Sequence, residues 1–114
     1  MSRQDISQTL NVPMKSLADL AVEWWRLSSG LKETSGAVRH ALRKIEDFLR
    51  QCELEVQSLD GRPFDAGLAA TVLDTVEDPV LEPGRAVIEQ TVCPLVLWRG
   101  TVLRAAEVVT RRGA

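Results

Sequence analysis

The stretch "LVLWRGTVLRAAEVVT", Leu95 to Thr110, decides the fold because its composition suits either a helix or a pair of strands. Leu103, Ala105, Ala106 and Glu107 are good helix formers. The segments 95–98 and 108–109, in contrast, are β-branched or bulky and are typical of strands.

Local turn chemistry favours the strands. A helix from Thr101 would have no N-cap better than Gly100, whereas a hairpin can turn at Arg99-Gly100. The hairpin would place one set of residues on a single face with Arg104 between them, namely Val102, Ala106 and Val108. We therefore predict a β-hairpin here.

The segment before this hairpin also has the pattern of short strands. "LEVQSL" alternates, "DGRP" supplies turn residues, and "GRAVIEQTV" and "LVLW" are strand candidates. Prolines and glycines interrupt the chain every few residues between these pieces. We expect a small β domain over residues 54–110, followed by a solvated tail at 111–114.

Residues 12–53 have helical periodicity instead, after an N-terminus that we expect to be flexible over residues 1–11. Asn11 and Pro13 suit a helix start, Gly30 lies near the end of the first pattern, and Thr34 or Ser35 can cap a second helix. Within the second helix, i,i+4 spacing predicts ion pairs between Arg43 and Asp47 and between Glu46 and Arg50. The apolar seams of the two helices comprise Leu17, Leu20, Trp24, Leu27 and Leu31, and Val38, Leu42, Ile45 and Leu49.

A two-helix hairpin with one apolar stripe per helix cannot enclose its own core. A four-helix bundle made from two copies is the simplest symmetric solution, although the C-terminal half could also cover the stripes. We thus predict an α+β fold in which a helical hairpin dimerises through the two seams and carries a small all-β domain. Trp25 is about 100° from Trp24 on the helix, so we place it at the edge of the bundle, at the helix–β junction or on an exposed partner surface.

Composition narrows the classes of function. The chain has 114 residues, 26% of them charged, and a formal net charge of −2, which predicts one soluble domain and makes nucleic acid and membranes poor partners. No apolar run has the length of a signal peptide or a membrane span, so we expect a cytoplasmic protein.

Few residues suggest catalysis or metal binding. Cys52 and Cys93 lack CxxC spacing and a histidine partner, and His40 lies on the polar side of the second helix. The acidic segment 74–82 has no accompanying nucleophile or second general acid. We expect no enzyme activity, no metal and no cofactor.

The motifs in order resemble the GrpE family of nucleotide exchange factors for DnaK-type chaperones. "RPFDAGLAATVLDTVEDPVLEPG" followed by "RGTVLRAAEVV" is similar to the C-terminal half of that family, with its Phe/Leu-Asp-Pro stretch, Val-Glu-Asp turn, Pro-Gly and closing hairpin. Gly36 and the stripe from Val38 to Leu49 fall where the last bundle helix of the family lies. The resemblance covers roughly residues 17–110.

The resemblance implies a homodimer with a four-helix bundle and one β wing per chain. It implies further that a wing contacts the nucleotide-binding domain of a DnaK-type chaperone and favours its open cleft, from which ADP escapes without any bond being broken. The residues that the resemblance places at this contact are Phe64, Ala66, Gln90, Arg104 and Thr110. For Arg104, a structural ion pair with a loop carboxylate is the alternative.

Several positions depart from the family pattern. The long stalk helix has no counterpart before residue 12, and Glu53 replaces the glycine that ends the last bundle helix, where a left-handed residue would be strained. Ala66 and Ala69 replace a proline and a histidine, and the Gly-Tyr of the penultimate strand is lost around Cys93–Val96. These changes leave open a second hypothesis, a dimeric adaptor that kept the fold and lost exchange activity.

Overall fold

A computed structural model describes residues 8–114 of the chain, so the predicted flexible N-terminus lies largely outside the described residues. Over that range, two helices precede six strands, which confirms the predicted α+β class. The elements are α1 (Met14–Gly30), α2 (Gly36–Gln51), β1 (Leu54–Gln57), β2 (Ala70–Glu77), β3 (Ala86–Cys93), β4 (Leu95–Trp98), β5 (Thr101–Arg104) and β6 (Ala106–Arg112).

The helix ends follow the local sequence. Helix α1 begins directly after Pro13, whose carbonyl accepts from the N–H groups of Ser16 and Leu17 at 3.0 and 3.3 Å. Ser35 caps α2, because its Oγ accepts from the N–H of Val38 at 3.2 Å. The predicted hairpin of two helices is confirmed.

Helix α2 ends without the expected glycine. Glu53, one residue after the C-cap Cys52, has a left-handed backbone with φ 64°, and its N–H donates to the carbonyl of Arg50 at 2.9 Å. The chain enters β1 at the next residue. The strain expected for a non-glycine residue at this helix end is therefore present.

The six strands form two three-stranded sheets. Sheet A has the order β1-β4-β5 and is antiparallel throughout. Sheet B has the order β2-β6-β3, with β6 parallel to β2 and antiparallel to β3. We call the two sheets together the wing.

The opening stretch from Leu95 to Thr110 forms strands, as predicted, but three of them rather than two. Strands β4 and β5 make a hairpin around Arg99-Gly100, whose φ values of 49° and 80° match the left-handed pair of a type I′ turn. The second arm is broken at Ala105, after which β6 joins sheet B. Val102 is consequently exposed, whereas Ala106 and Val108 are fully buried, so these three residues do not share one face.

The chain crosses between the sheets at three points, and the first crossing is the segment 58–69 between β1 and β2. Pro94, which is fully buried, separates β3 of sheet B from β4 of sheet A, and Ala105 separates β5 from β6. A proline has no N–H to donate to a ladder, so it suits a position where one strand must end and another begin.

Two apolar clusters hold the layers together. The first joins the helical hairpin to the wing and consists of Ala18, Ala21, Val22, Leu49, Leu54, Cys93 and Val96. The second lies within the wing and consists of Leu59, Ile88, Leu95, Ala106 and Val108. Each fully buried valine or leucine contributes about 1.5–3 kcal/mol, so the helices and the wing stabilise one another.

The predicted solvated tail is part of the structure. Strand β6 continues to Arg112, and Gly113 is buried, with its N–H donating to the carbonyl of Arg85 at 2.9 Å. A Cβ at Gly113 would lie 2.0 Å from the carbonyl oxygen of Glu82. The two arginines that suggested a solvated segment are accommodated because Arg111 pairs with Asp78 at 2.9 Å and Arg112 remains exposed.

Candidate partner-binding surfaces

The helical hairpin has an exposed apolar stripe, which we define as Leu20, Leu27, Leu31, Val38 and Phe48. These side chains are between 38% and 50% exposed. Leu20 and Leu27 are seven residues apart in α1, which places them on one side of that helix, and Leu31 directly follows its last residue. Side chains of this kind are usually covered when they form a contiguous patch, so the stripe is a candidate interface.

Other residues of the predicted dimer interface pack within a single protomer. Leu49 is only 3% exposed and belongs to the cluster that joins the hairpin to the wing, and Leu17 and Ile45 pack against that cluster. Leu49 therefore has almost no surface left for a second copy. The predicted interface thus divides into an exposed part and a part that packs against sheet A.

Trp24 connects the two helices. Its indole Nε1 donates to the carbonyl of Leu42 at 3.1 Å, and its ring packs against the same buried cluster. The neighbouring Trp25 instead lines a groove of about 400 Å³ between the end of α1 and the wing, together with Gln90 and Val92. Of the positions considered for Trp25, the helix–β junction is the one it occupies.

The five residues that the family resemblance places at a chaperone contact do not form one patch. Ala66 and Gln90 are exposed, Phe64 packs against the wing cluster, and Thr110 is only 3% exposed. Gln90 pairs in register with Val109, so its side chain and that of Thr110 lie on opposite faces of sheet B. Thr110 has almost no surface available to a partner.

Arg104 lies at the junction between the wing and the hairpin. Its Nη1 is 3.0 Å from Oδ1 of Asp19 on α1, and both side chains are about half exposed. The carboxylate is thus on a helix rather than on a loop of the wing. An exposed pair of this kind contributes little to stability. Because the Arg104 side chain is 40% exposed, its guanidinium is also accessible to a partner.

Sequence reasoning missed a second feature of the hairpin, which we call the cationic cleft. It has a volume of about 360 Å³ and lies where the two helices meet their connecting loop. Its walls include Arg39 and Arg43, which are exposed and one helical turn apart. The apolar part of its lining consists of Trp24, Leu31 and Leu42.

The charges of the cleft are unbalanced. Arg39 and Arg43 form no ion pair within residues 8–114; Arg39 donates only to the carbonyl of Thr34, at 3.4 Å. The predicted pair between Arg43 and Asp47 is not made; Oδ1 of Asp47 lies 3.7 Å from Nη1 of Arg50 instead. The sequence signal for the cleft was the pair of arginines spaced i,i+4, Arg39 and Arg43, on α2.

No group of three or more histidine, cysteine or acidic side chains is placed to hold a metal ion among residues 8–114. His40 is exposed, and no helix in this range is long and apolar enough to cross a membrane. Cys52 and Cys93 are free thiols.

Comparison with known proteins gives no assignment: no protein-family model matches the chain, and no curated protein matches it significantly. Any function must therefore be inferred from the fold, the exposed stripe and the motifs in the sequence.

Proposed function

We propose that this chain is a divergent GrpE-like co-chaperone, a homodimeric nucleotide exchange factor of the cytoplasm. In this proposal it binds the nucleotide-binding domain of a DnaK-type chaperone and promotes release of ADP. The observation that carries the proposal is a helical hairpin with an exposed apolar stripe, joined by a common core to a β wing. This arrangement agrees with what the motifs in the sequence imply.

Dimerisation would cover the exposed stripe. Pairing two hairpins through Leu20, Leu27 and their neighbours removes apolar surface from water, and the gain is roughly 25 cal/mol per Å² of apolar area. A symmetric pair uses the same patch on both copies, so a single stripe is sufficient. The remaining seam residues, such as Leu49, pack in the core between the hairpin and the wing, behind this surface.

A rigid junction between hairpin and wing suits an exchange factor. Such a protein acts by binding the open state of its partner more tightly than the closed state, and nucleotide affinity falls by the same coupling. If the wing moved freely, ordering it on binding would cost entropy, and this cost would reduce the difference in affinity between the two states. Here Ala21, Val22 and Val96, all fully or almost fully buried, lie in the cluster that joins the two parts.

Stopped-flow release of a fluorescent ADP analogue from the cognate DnaK-type chaperone tests the proposal. We expect micromolar concentrations of the protein to accelerate release, and we expect a variant that cannot dimerise to do so less well. Unchanged release at saturating concentration would refute exchange activity.

A second candidate is a dimeric adaptor that retains the fold without exchange activity. Two observations favour it: Thr110 is buried, and Ala66 and Ala69 replace a proline and a histidine of the family pattern. This candidate predicts chaperone binding without faster ADP release. Binding measured by calorimetry alongside the release assay separates the two.

A further inference from the structure

We propose that the cationic cleft binds an acidic segment of a partner protein, one that presents an apolar side chain between carboxylates. The inference does not rest on the exchange activity proposed above, although the cleft shares Leu31 with the exposed stripe. The proposal combines the charge, the lining and the size of the cleft.

The charge of the cleft selects an anionic ligand. Arg39 and Arg43 stand one turn apart on α2, and neither has a carboxylate partner within the described range. The whole chain has a formal net charge of −2, so this positive charge is local. A guanidinium presents a planar fork of donors that binds a carboxylate through two hydrogen bonds.

The lining selects an apolar group as well. Leu31 is 38% exposed, and Trp24 and Leu42 are partly exposed beside it. Because Trp24 donates to the carbonyl of Leu42, its ring is held in place against the cleft. A volume of about 360 Å³ accommodates an aliphatic side chain that would gain by leaving water.

One polar group in the cleft lacks a partner. The Oγ of Ser28 is buried and makes no hydrogen bond within the described part of the chain, although Ser28 lines the cleft. Buried hydroxyls are normally hydrogen-bonded. Because this hydroxyl is fully buried, a bound segment would supply the missing partner only if the cleft opened further.

A polyphosphate backbone fits this cleft less well than a peptide. Glu46 lies on the same wall, held by Arg50 at 3.0 Å, and places a carboxylate within the cleft lining. A continuous row of phosphates would approach that carboxylate and would leave the apolar lining unused. Carboxylates spaced around an aliphatic side chain use the apolar lining and bring less negative charge near Glu46.

Binding of a synthetic probe to the full-length protein tests the proposal. The probe is a short fluorescein-labelled peptide with two central leucines flanked by glutamates. We expect saturable binding by fluorescence anisotropy, together with a shift of the Trp24 indole N–H signal in NMR spectra. Matched peptides replace either the leucines by glycine or the glutamates by lysine, and both should bind at least about tenfold more weakly.

Charge-reversal variants locate the site. Arg39→Glu combined with Arg43→Glu should weaken binding by about tenfold or more, whereas Arg62→Glu combined with Arg85→Glu makes the same change of net charge in the wing and should leave it unchanged. Arg39→Gln with Arg43→Gln serves if the reversed pair unfolds, and should also lower the salt dependence. Circular dichroism confirms folding of each variant.

Three results would overturn the proposal. The first is equal binding by the charge-reversed cleft and by the control pair. The second is tighter binding of a single-stranded oligonucleotide than of the acidic peptide, which would point to a phosphate ligand. The third is absence of peptide binding, including the case in which a second copy of the chain covers the cleft.

Discussion

Glu53 and Arg99 both have left-handed backbones, with φ values of 64° and 49°, and they bind each other. The Nε of Arg99 lies 2.6 Å from Oε2 of Glu53, and the N–H of Arg99 donates to the carbonyl of Glu53 at 3.3 Å. The guanidinium also lies 4.5 Å from the centre of the Trp98 ring. The end of α2 is thus fastened to the turn of the β4–β5 hairpin at two strained positions.

Replacing Glu53 with glycine should stabilise the protein slightly. A left-handed backbone costs a non-glycine residue about 1–2 kcal/mol, whereas an exposed ion pair contributes about 0–1 kcal/mol. Glu53→Ala loses the pair and keeps the strain, so its free energy of unfolding should fall by up to about 1 kcal/mol. Urea denaturation compares the two variants, and a Glu53→Gly protein less stable than Glu53→Ala would contradict this account.

The ion pair of Arg104 with Asp19 should have little effect on stability. Both side chains are about half exposed, so a double-mutant cycle with Asp19→Asn and Arg104→Gln should give a coupling of about 0.2–1 kcal/mol. If Arg104 instead serves to contact a chaperone, Arg104→Gln should weaken chaperone binding while Asp19→Asn should not. Equal weakening by both variants would indicate that the pair acts only by positioning the wing.

Trp24→Phe should destabilise the hairpin more than Trp25→Phe. The indole N–H of Trp24 bonds the carbonyl of Leu42, and loss of such a bond costs about 0.5–1.5 kcal/mol. Trp25 lines an open groove, and no hydrogen bond of its indole is described. Thermal unfolding followed by far-UV circular dichroism measures both, and equal changes in Tm would contradict the assigned role of Trp24.

Gly113→Ala should destabilise the wing. The new Cβ would lie 2.0 Å from the backbone oxygen of Glu82, so the loop over the end of β6 must move, at a cost of about 1–3 kcal/mol. Gly30→Ala is the control, because a Cβ there meets no atom within 4 Å. Chemical denaturation should show a loss of stability for the first variant only.

Leu20→Glu combined with Leu27→Glu should abolish dimerisation. Each leucine is at least 40% exposed and would be covered in the proposed dimer, so losing both weakens association by about 100-fold or more. Leu73→Glu, at a leucine 52% exposed in the wing, provides a control of the same chemical type. Sedimentation equilibrium should show a monomer for the double variant and a dimer for the control; two dimers would exclude the stripe as the interface.

Much of the fold could be predicted from local patterns. The apolar spacing in residues 17–49 predicts both helices, and Ser35 and Arg99-Gly100 mark a cap and a turn that the structure confirms. These features depend on interactions within a few residues, which a sequence displays directly. The α+β class follows from the same patterns.

The arrangement of strands required contacts that a local pattern does not contain. Ala105 is an ordinary residue in sequence, yet it separates two strands that join different sheets. The parallel pairing of β2 with β6 joins residues more than thirty positions apart, such as Ala70 with Ala106. Thr110 is buried as a result of that pairing. The local sequence therefore could not show that this residue has almost no surface for a chaperone contact.

The cationic cleft was missed for a different reason. Arg39 and Arg43 were visible as part of a polar helix face, but a solvated basic face and one wall of a cleft have the same sequence pattern. Only the position of Trp24, turned towards Leu42, places an apolar lining beside them. The orientation of side chains between the two helices therefore determines that these arginines line a cleft, which the helical periodicity alone did not show.

The order of strands in sheet B bears on how the protein is made. Strand β6 is the central strand of that sheet, and it is also the last of the six to be synthesised. While the chain grows on the ribosome, β2 and β3 have no partner between them and expose unpaired backbone and apolar side chains. Until β6 emerges, the nascent protein is itself the kind of chain on which chaperones act.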